Sequence, residues 1–309
     1  MAVMRGVFVI LPTPFDDSLR LDLVGLQRIV EFCIGCGVQG VVTTANASET
    51  GYLSDTERRQ VVETALAVAK GRVMTVVGVS SSCWPISCEL ARHAEAHGAD
   101  ALMAMPPTFH RPSEPEVRSF YGAIDKETSL PMFLQNYGGP GGTPMSARLM
   151  ADLLRSLSCA QYVKEETEFS SVLLTETLDA ATGENLKGIM GGKAGRHLLD
   201  EHRRGACGTM PACEAADVHV ALWEALEAGE ERRANEIFRL LLPLLNFEIG
   251  YGPAVYKEVL RRRGVIQSSA LRQTGGRVLD RLAHSELDAI LSAISPMYRS
   301  SHRVPVAIE

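Results

Sequence analysis

Lys164 is the residue of this 309-residue chain whose setting most directly suggests covalent chemistry. It follows the short apolar run at residues 160–163, which predicts a buried strand that carries the lysine at its carboxyl end. An amine that burial keeps neutral can attack a ketone carbonyl and form a Schiff base. The alternative is an ion pair at the surface with Glu165, Glu166 or Glu168. The pattern by itself leaves the two interpretations evenly balanced.

Two glycine-rich turns are candidate sites for a charged group. Residues 138–142 contain four glycines around Pro140, and Gly191-Gly192 is followed by Lys193. Glycine permits unusual backbone angles, so the second turn could present backbone amides to a carboxylate or a phosphate. It lacks the G-x-x-x-x-G-K-[ST] spacing of a nucleotide-binding loop. An ordinary tight turn explains it equally well.

The histidines and cysteines do not form a metal-binding pattern. His93 and His97 are four residues apart on a predicted helix, without the glutamate of an H-E-x-x-H motif or a third ligand. Cys33-x-x-Cys36 ends an amphipathic segment, and no second pair follows, so two buried helical thiols are expected. The seven scattered cysteines argue against a disulfide framework and favour a reducing compartment. We expect no metal, no cofactor and a cytoplasmic location.

The composition is that of a soluble globular protein, with 46% hydrophobic and 22% charged residues. The formal net charge of −6 gives no indication of a nucleic-acid partner or an anionic membrane surface. No apolar segment approaches the roughly 18–20 residues that a membrane-spanning helix needs. The first residues lack the basic and apolar regions of a secretory signal. The expected partner is therefore a small molecule.

The elements that position these residues alternate regularly along the chain. Continuous apolar runs predict parallel strands that are buried on both faces, and amphipathic segments between them predict helices. Ser54 and Glu57 form a capping-box pattern at the start of one such helix. The predicted strands are residues 7–11, 40–44, 73–78, 101–105, 132–136, 161–164, 186–190 and 208–210, and the intervening helices include residues 22–34, 55–69, 86–97, 114–124 and 147–157.

Eight strands that are each followed by a helix predict an α/β protein with a (β/α)8 TIM barrel. A doubly wound Rossmann sheet is the competing architecture, but residues 11–14 read Leu-Pro-Thr-Pro where it would need a glycine-rich turn. After about residue 217 only helical patterns remain, at residues 218–228, 231–247, 254–263 and 277–294. We predict that residues 1–228 form the barrel and that residues 229–309 form a C-terminal helical extension of the same domain.

The segments at the predicted strand ends resemble those of the dihydrodipicolinate synthase and N-acetylneuraminate lyase family, over nearly the whole chain. The family's Schiff-base lysine falls on Lys164, so the resemblance favours the covalent interpretation. It also implies a homo-oligomer, either a dimer or a tetramer. The matching segments include Ser48-Glu49, Pro106-Pro107, residues 111–113, Asn136 and the Tyr-Val-Lys-Glu sequence at residues 162–165.

Three positions depart from the family's synthases. Asn46-Ala47 stands in place of a Thr-Thr pair, Gln135 in place of a strand-end tyrosine, and Phe109 in place of a tyrosine lent across the subunit interface. The synthases' substrate-binding arginine has no match in residues 138–143. Gln, Asn and Phe side chains do not act as general acids or bases near neutral pH. These departures from the family's synthases disfavour dihydrodipicolinate synthesis.

One branch of the family, the L-2-keto-3-deoxyarabonate dehydratases, is more similar. The similarity rests on residues 45–49, 103–107 and 242–246, on Gln135, and on Lys164 with Glu166 after it. That branch has a Trp-Asp-Gly-Glu-like stretch after the seventh strand, where this chain has Met-Gly-Gly-Lys at residues 190–193. The implied activity is a Schiff-base-forming lyase that dehydrates a 2-keto-3-deoxy sugar acid. The alternatives are a pyruvate-dependent aldolase, a synthase-like condensation and a non-catalytic keto-acid-binding barrel.

The implied mechanism assigns imine formation to Lys164, with Gln135 and Asn46 orienting hydroxyl groups or a water. The substrate carboxylate is expected on the backbone amides of Ala47 and Ser48, together with the Ser48 hydroxyl. The base that removes the C3 proton is left open between Glu166, the released lysine and a bound water. The other expected substrate contacts are Asn136, Phe109, Glu166, Gly191 and Met210.

Overall fold

The computed structural model describes residues 3–108, 110–273 and 278–299. Eight parallel strands pair in chain order and close into a barrel, which confirms the predicted (β/α)8 fold. The strands are buried along almost their whole length, as their continuous apolar runs predict. They are β1 (Gly6–Ile10), β2 (Gly40–Thr43), β3 (Met74–Gly78), β4 (Ala101–Ala104), β5 (Met132–Tyr137), β6 (Ala160–Glu166), β7 (Gly188–Gly191) and β8 (Gly208–Thr209).

Helices follow the strands, and three more complete the described C-terminal part of the chain. The predicted capping box is present at the start of α2, where Ser54 accepts from the Glu57 amide and Glu57 accepts from the Ser54 amide. The helices are α1 (Leu23–Cys36), α2 (Asp55–Ala69), α3 (Trp84–Ala96), α4 (Glu114–Asp125), α5 (Ala147–Ser156), α6 (Ser170–Ala180), α7 (Leu198–Arg203), α8 (Ala216–Glu227), α9 (Glu231–Tyr251), α10 (Pro253–Arg262) and α11 (Arg281–Ile294). Among the described residues, no helix is both long and apolar enough to cross a bilayer.

The chain forms two compact units. The first contains Met1–Gly6 and Met74–Met210, and the second contains Val7–Val73 and Pro211–Glu309. In the first unit, the rings of Phe133 and Tyr162 stack with centroids 4.7 Å apart. The predicted boundary between barrel and extension at residue 228 stays a prediction.

A buried ion pair stabilises the second unit. The Lys257 ammonium of α10 donates to a carboxylate oxygen of Glu49 and, at 2.9 Å, to the carbonyl of Ala270. The other Glu49 oxygen accepts from the backbone amides of Arg272 and Gln273, both at 2.9 Å. Burial lowers the pKa of Lys257 to about 8, and the Glu49 carboxylate opposes that shift. The pair joins the loop after β2 to α10 and to the segment that follows it.

Replacing Lys257 with methionine is expected to lower the free energy of unfolding by about 3–5 kcal/mol, because it leaves the Glu49 carboxylate buried without its cation. Urea unfolding measures this change. Arg232→Met is the matched control, since it removes an exposed pair with Glu236 on α9 and should cost about 1 kcal/mol or less. Equal losses in the two variants would contradict a special role for the buried pair.

Candidate active site

Lys164 lies near the carboxyl end of β6 and is only 1% exposed. Its Nζ is 3.1 Å from Oε1 of Glu166, which lies two residues further along the same strand. Side chains two residues apart in a strand share a face, which explains why Glu166 rather than the adjacent Glu165 meets the lysine. The lysine therefore makes an ion pair, but in the protein interior and not at the surface.

Gln135 of β5 completes a three-residue cluster with Lys164 and Glu166. The parallel register places Gln135 beside Lys164, and its Nε2 donates to Glu166 Oε1 at 2.5 Å. All three side chains are buried. Two nitrogen donors therefore converge on one carboxylate oxygen in an environment of low dielectric, where such bonds are strong. This geometry places the Lys164 amine within hydrogen-bonding distance of the Glu166 carboxylate, an arrangement typical of paired groups in general acid–base chemistry.

Tyr137 is a candidate site residue that the predicted end of β5 at residue 136 leaves out. It ends β5, pairs with Glu166 in the register and shares a strand face with Gln135. Its half-buried ring lies against the turn at residues 138–142. Burial, and then the negative charge of Glu166, raises the pKa of the phenol, which keeps it a hydrogen-bond donor. Strand alternation could have revealed Tyr137 if β5 had been predicted to continue past Asn136.

Asn136 faces away from this cluster and makes a different set of contacts. Its amide donates to Glu165 Oε2 at 2.7 Å and to the carbonyl of Met145 at 3.1 Å, and its Oδ1 accepts from the Met145 amide at 2.7 Å. Glu165 also accepts from the Thr167 amide and hydroxyl. Burial raises the pKa of Glu165, and these hydrogen bonds oppose the shift. Asn136 thus holds the loop after β5, and its contact with substrate stays a prediction.

Gly191 and Met210 lie at the carboxyl ends of β7 and β8. The Met210 amide donates to the Gly191 carbonyl at 2.9 Å, and Gly191 pairs with Glu165 in the neighbouring strand. Both residues are buried. Their contact with substrate stays a prediction, and Phe109 lies outside the described residues.

The second unit contains the short 3-10 turn Asn46–Ser48 after β2. The Ser48 hydroxyl donates to the Leu11 carbonyl at 2.6 Å and accepts from the Ala45 amide at 3.2 Å, so its proton is engaged within the protein. Asn46 is exposed, and Ala47 is partly buried. The assignment of Asn46, Ala47 and Ser48 to substrate stays a prediction.

Two non-glycine residues flank this turn with left-handed backbone angles. Thr44 has φ 53° and Glu49 has φ 52°. Such conformations cost about 1–3 kcal/mol each and occur preferentially at functional sites. The Glu49 carboxylate is held by Lys257 and by two backbone amides, which offsets the cost at that residue.

Sequence comparison identifies relatives across most of the chain. The model of the dihydrodipicolinate synthetase family matches residues 3–294. The chain is 30% identical over 276 residues to an L-2-keto-3-deoxyarabonate dehydratase of Azospirillum brasilense. The alignment covers 88% of this chain and 85% of that protein. It is 28% identical over 242 residues to the 4-hydroxy-tetrahydrodipicolinate synthase of Bartonella quintana, with 78% and 82% covered.

Solved structures lead to the same family. The dihydrodipicolinate synthase of Rhodopseudomonas palustris matches this fold with a TM-score of 0.86 and 28% sequence identity. The match covers 94% of this chain and 97% of that structure. Together with the family match over residues 3–294, this shows that the chain belongs to the dihydrodipicolinate synthetase family.

Proposed function

We propose that this protein is a Schiff-base-forming lyase that dehydrates a 2-keto-3-deoxy sugar acid such as L-2-keto-3-deoxyarabonate. The observation that carries the proposal is the buried cluster in which Lys164 and Gln135 both contact Oε1 of Glu166. The 30% identity to the Azospirillum brasilense dehydratase supports the choice of reaction. The family relationship supports a small keto acid as the substrate.

The chemistry starts at the amine of Lys164. Lys164 first releases a proton to solvent, and its neutral amine attacks C2 of the substrate. The C2 oxygen then takes one proton from the attacking nitrogen and one from solvent and leaves as water, and a protonated imine remains. That cation withdraws electrons from C3, so a C3 proton becomes acidic and Glu166 accepts it. The resulting enamine expels the C4 hydroxyl, which takes the proton from Glu166 and leaves as water. Hydrolysis of the imine then releases the dehydrated keto acid and restores Lys164.

Gln135 and Tyr137 have supporting roles in this scheme. Gln135 holds the Glu166 carboxylate through its hydrogen bond to Oε1, which directs the carboxylate towards the lysine. Tyr137, on the same strand face, is the residue that we assign to hydrogen-bond the C4 oxygen while that oxygen takes the proton from Glu166. Assignment of the substrate carboxylate to Ala47 and Ser48, and of an orienting role to Asn46, rests on the resemblance to the family.

The local chemistry favours dehydration over condensation with an aldehyde. A synthase must transfer a proton to the incoming aldehyde, and the family's hydroxyl relay is replaced here at Asn46 and Gln135. Dehydration needs one group that accepts the C3 proton and returns it to the leaving oxygen, which Glu166 provides. A homo-oligomeric enzyme of the cytoplasm, either a dimer or a tetramer, is the setting that we propose.

A panel of 2-keto-3-deoxy sugar acids tests the proposed function. We expect loss of water, seen by NMR as an unsaturated or rearranged keto acid, without release of pyruvate in a coupled dehydrogenase assay. A chelator should leave the rate unchanged, because the proposed chemistry uses an amine in place of a metal ion. Stoichiometric pyruvate release would establish an aldolase instead. Absence of both turnover and borohydride-trapped adduct would support a non-catalytic binding barrel.

A further inference from the structure

The carboxyl end of β7 lies between two glutamate side chains. A Cβ atom added to Gly191 would overlap the carboxyl group of Glu201, and one added to Gly192 would overlap the side chain of Glu166. Successive residues of an extended chain point to opposite sides, so the two acids contact the backbone from opposite sides. Glu166 lies on the side of Lys164, and Glu201 approaches from α7. Glycine at both positions is what permits this close approach.

Glu201 is a buried acid with one unused oxygen. The residue is 0% exposed, and its Oε1 accepts from the Ser170 hydroxyl at 2.8 Å. Its Oε2 has no hydrogen-bond partner within the part of the chain that the structure describes. Burial raises the pKa of Glu201 to about 7, with smaller contributions from the charges of Glu165 and Asp200, while the Ser170 bond opposes the shift. A neutral acid fits this environment, whereas a carboxylate without a cation is costly there.

The β7 backbone connects Glu201 to the three-residue cluster of Lys164, Glu166 and Gln135. Gly191 pairs with Glu165, and the Gly192 amide donates to the Glu165 carbonyl at 2.8 Å. Glu165 directly precedes Glu166 in β6. A shift of the two glycines away from Glu201 would therefore displace the strand that carries the lysine and its carboxylate partner.

We propose that Glu201, as a neutral acid behind Gly191, is a positioning residue that holds the end of β7 against β6 and so fixes Glu166 relative to Lys164. Ionisation of Glu201 places an unpaired charge against this backbone and loosens the contact. The inference rests on the proposed function only in treating Lys164 and Glu166 as the reacting pair. The groups that face Glu201 are Ser170 on α6, Gly191 on β7, Glu165 on β6 and Asp200 on α7.

Glu201→Gln tests the proposal because glutamine matches the neutral acid in size and cannot ionise. We expect kcat of the wild type to fall as the pH rises above about 7, by about tenfold per pH unit at the limit, with little change in KM. In Glu201→Gln this dependence should disappear, while Glu201→Leu should have a low kcat at every pH. Glu176→Gln is the control, since it removes an exposed charge on α6 and should keep the wild-type profile.

Thermal unfolding provides a readout that needs no substrate. The pKa of Glu201 in the folded state, about 7, lies above its ordinary value of 4.5. The contribution of neutral Glu201 to the free energy of unfolding is therefore complete below about pH 4.5 and is lost as the pH rises through about 7. We expect the Tm of Glu201→Gln to match the wild type near about pH 5 and to exceed it near about pH 8. Glu176→Gln should show no such crossover.

The two readouts together separate the possible failures. Identical pH dependence of Tm in wild type and Glu201→Gln would overturn the buried-acid assignment. A Tm difference with unchanged kcat profiles would overturn the positioning role. If no keto acid is turned over, the proposed function fails, and a different readout tests the inference. That readout is the rate at which a small activated ester acylates Lys164 with loss of its alcohol, measured by mass spectrometry as a function of pH. The same profile in both proteins would again overturn the inference, and a profile altered only by Glu201→Gln would support it.

Discussion

Replacing Lys164 with arginine is expected to abolish turnover, with kcat falling on the order of 10⁴-fold or more, the scale seen when a covalent nucleophile is removed. Arginine keeps a positive charge beside the buried Glu166 carboxylate, which preserves the ion pair. Its guanidinium stays protonated and cannot form the imine. Steady-state kinetics measures the loss, and circular dichroism checks that the variant is folded.

Borohydride reduction in the presence of pyruvate provides the direct covalent test of the same residue. The wild type should gain the mass of one reduced adduct on Lys164, and Lys164→Arg should gain none. Lys193→Arg is the matched control, because Lys193 follows β7 and pairs with the largely exposed Glu168 at 2.9 Å. Undiminished labelling of Lys164→Arg would contradict the assignment, and Lys193 would be the next residue to test.

Glu166→Gln is expected to lower kcat by about 10²–10⁴-fold, the usual contribution of a general acid or base. The amide is close to the carboxylate in size, so the contact with Gln135 can persist while the proton acceptor is lost. Pyruvate trapping by borohydride should continue, because imine formation uses Lys164. The variant therefore separates formation of the imine from removal of the C3 proton.

Glu168→Gln is the control for this change, since it removes a carboxylate that is largely exposed and pairs with Lys193. Its kcat should remain close to that of the wild type. A loss of less than about tenfold in Glu166→Gln would show that the released lysine or a bound water removes the C3 proton. Loss of trapping as well as turnover would instead show that Glu166 is needed to form the imine.

A one-residue error in the predicted length of β5 changes which side chains are assigned to the site, as Gln135 and Tyr137 show. The apolar run in β5 predicts a strand that stops at residue 136, but the observed strand includes Tyr137. One further residue places a phenol on the same face as Gln135. The replaced tyrosine is therefore recognisable from the sequence pattern, whereas the hydroxyl two residues later is not. The site requires polar residues at the end of the strand. These residues interrupt the apolar pattern from which the end of the strand is predicted.

The sequence by itself determined the order of the strands and helices, the closed barrel as the fold, and the strand end that carries Lys164. Those features follow from local patterns, since apolar runs, helical periodicity and capping residues depend on near neighbours along the chain. The resemblance to known relatives added the covalent role of the lysine. None of these inferences required knowledge of which strands lie side by side in a particular register.

Only the tertiary structure shows which acid contacts Lys164 and which acid lies buried behind the neighbouring strand. Glu165, Glu166 and Glu168 are equivalent as charges in the sequence. Because β6 extends to Glu166, strand alternation places that residue on the face of Lys164, and the register with β5 adds Gln135. Glu201 has the polarity of a solvent-facing helical residue, yet it is buried behind Gly191. Pairing across strands and burial against a helix depend on contacts between residues distant in the chain. A local sequence pattern therefore does not reveal them.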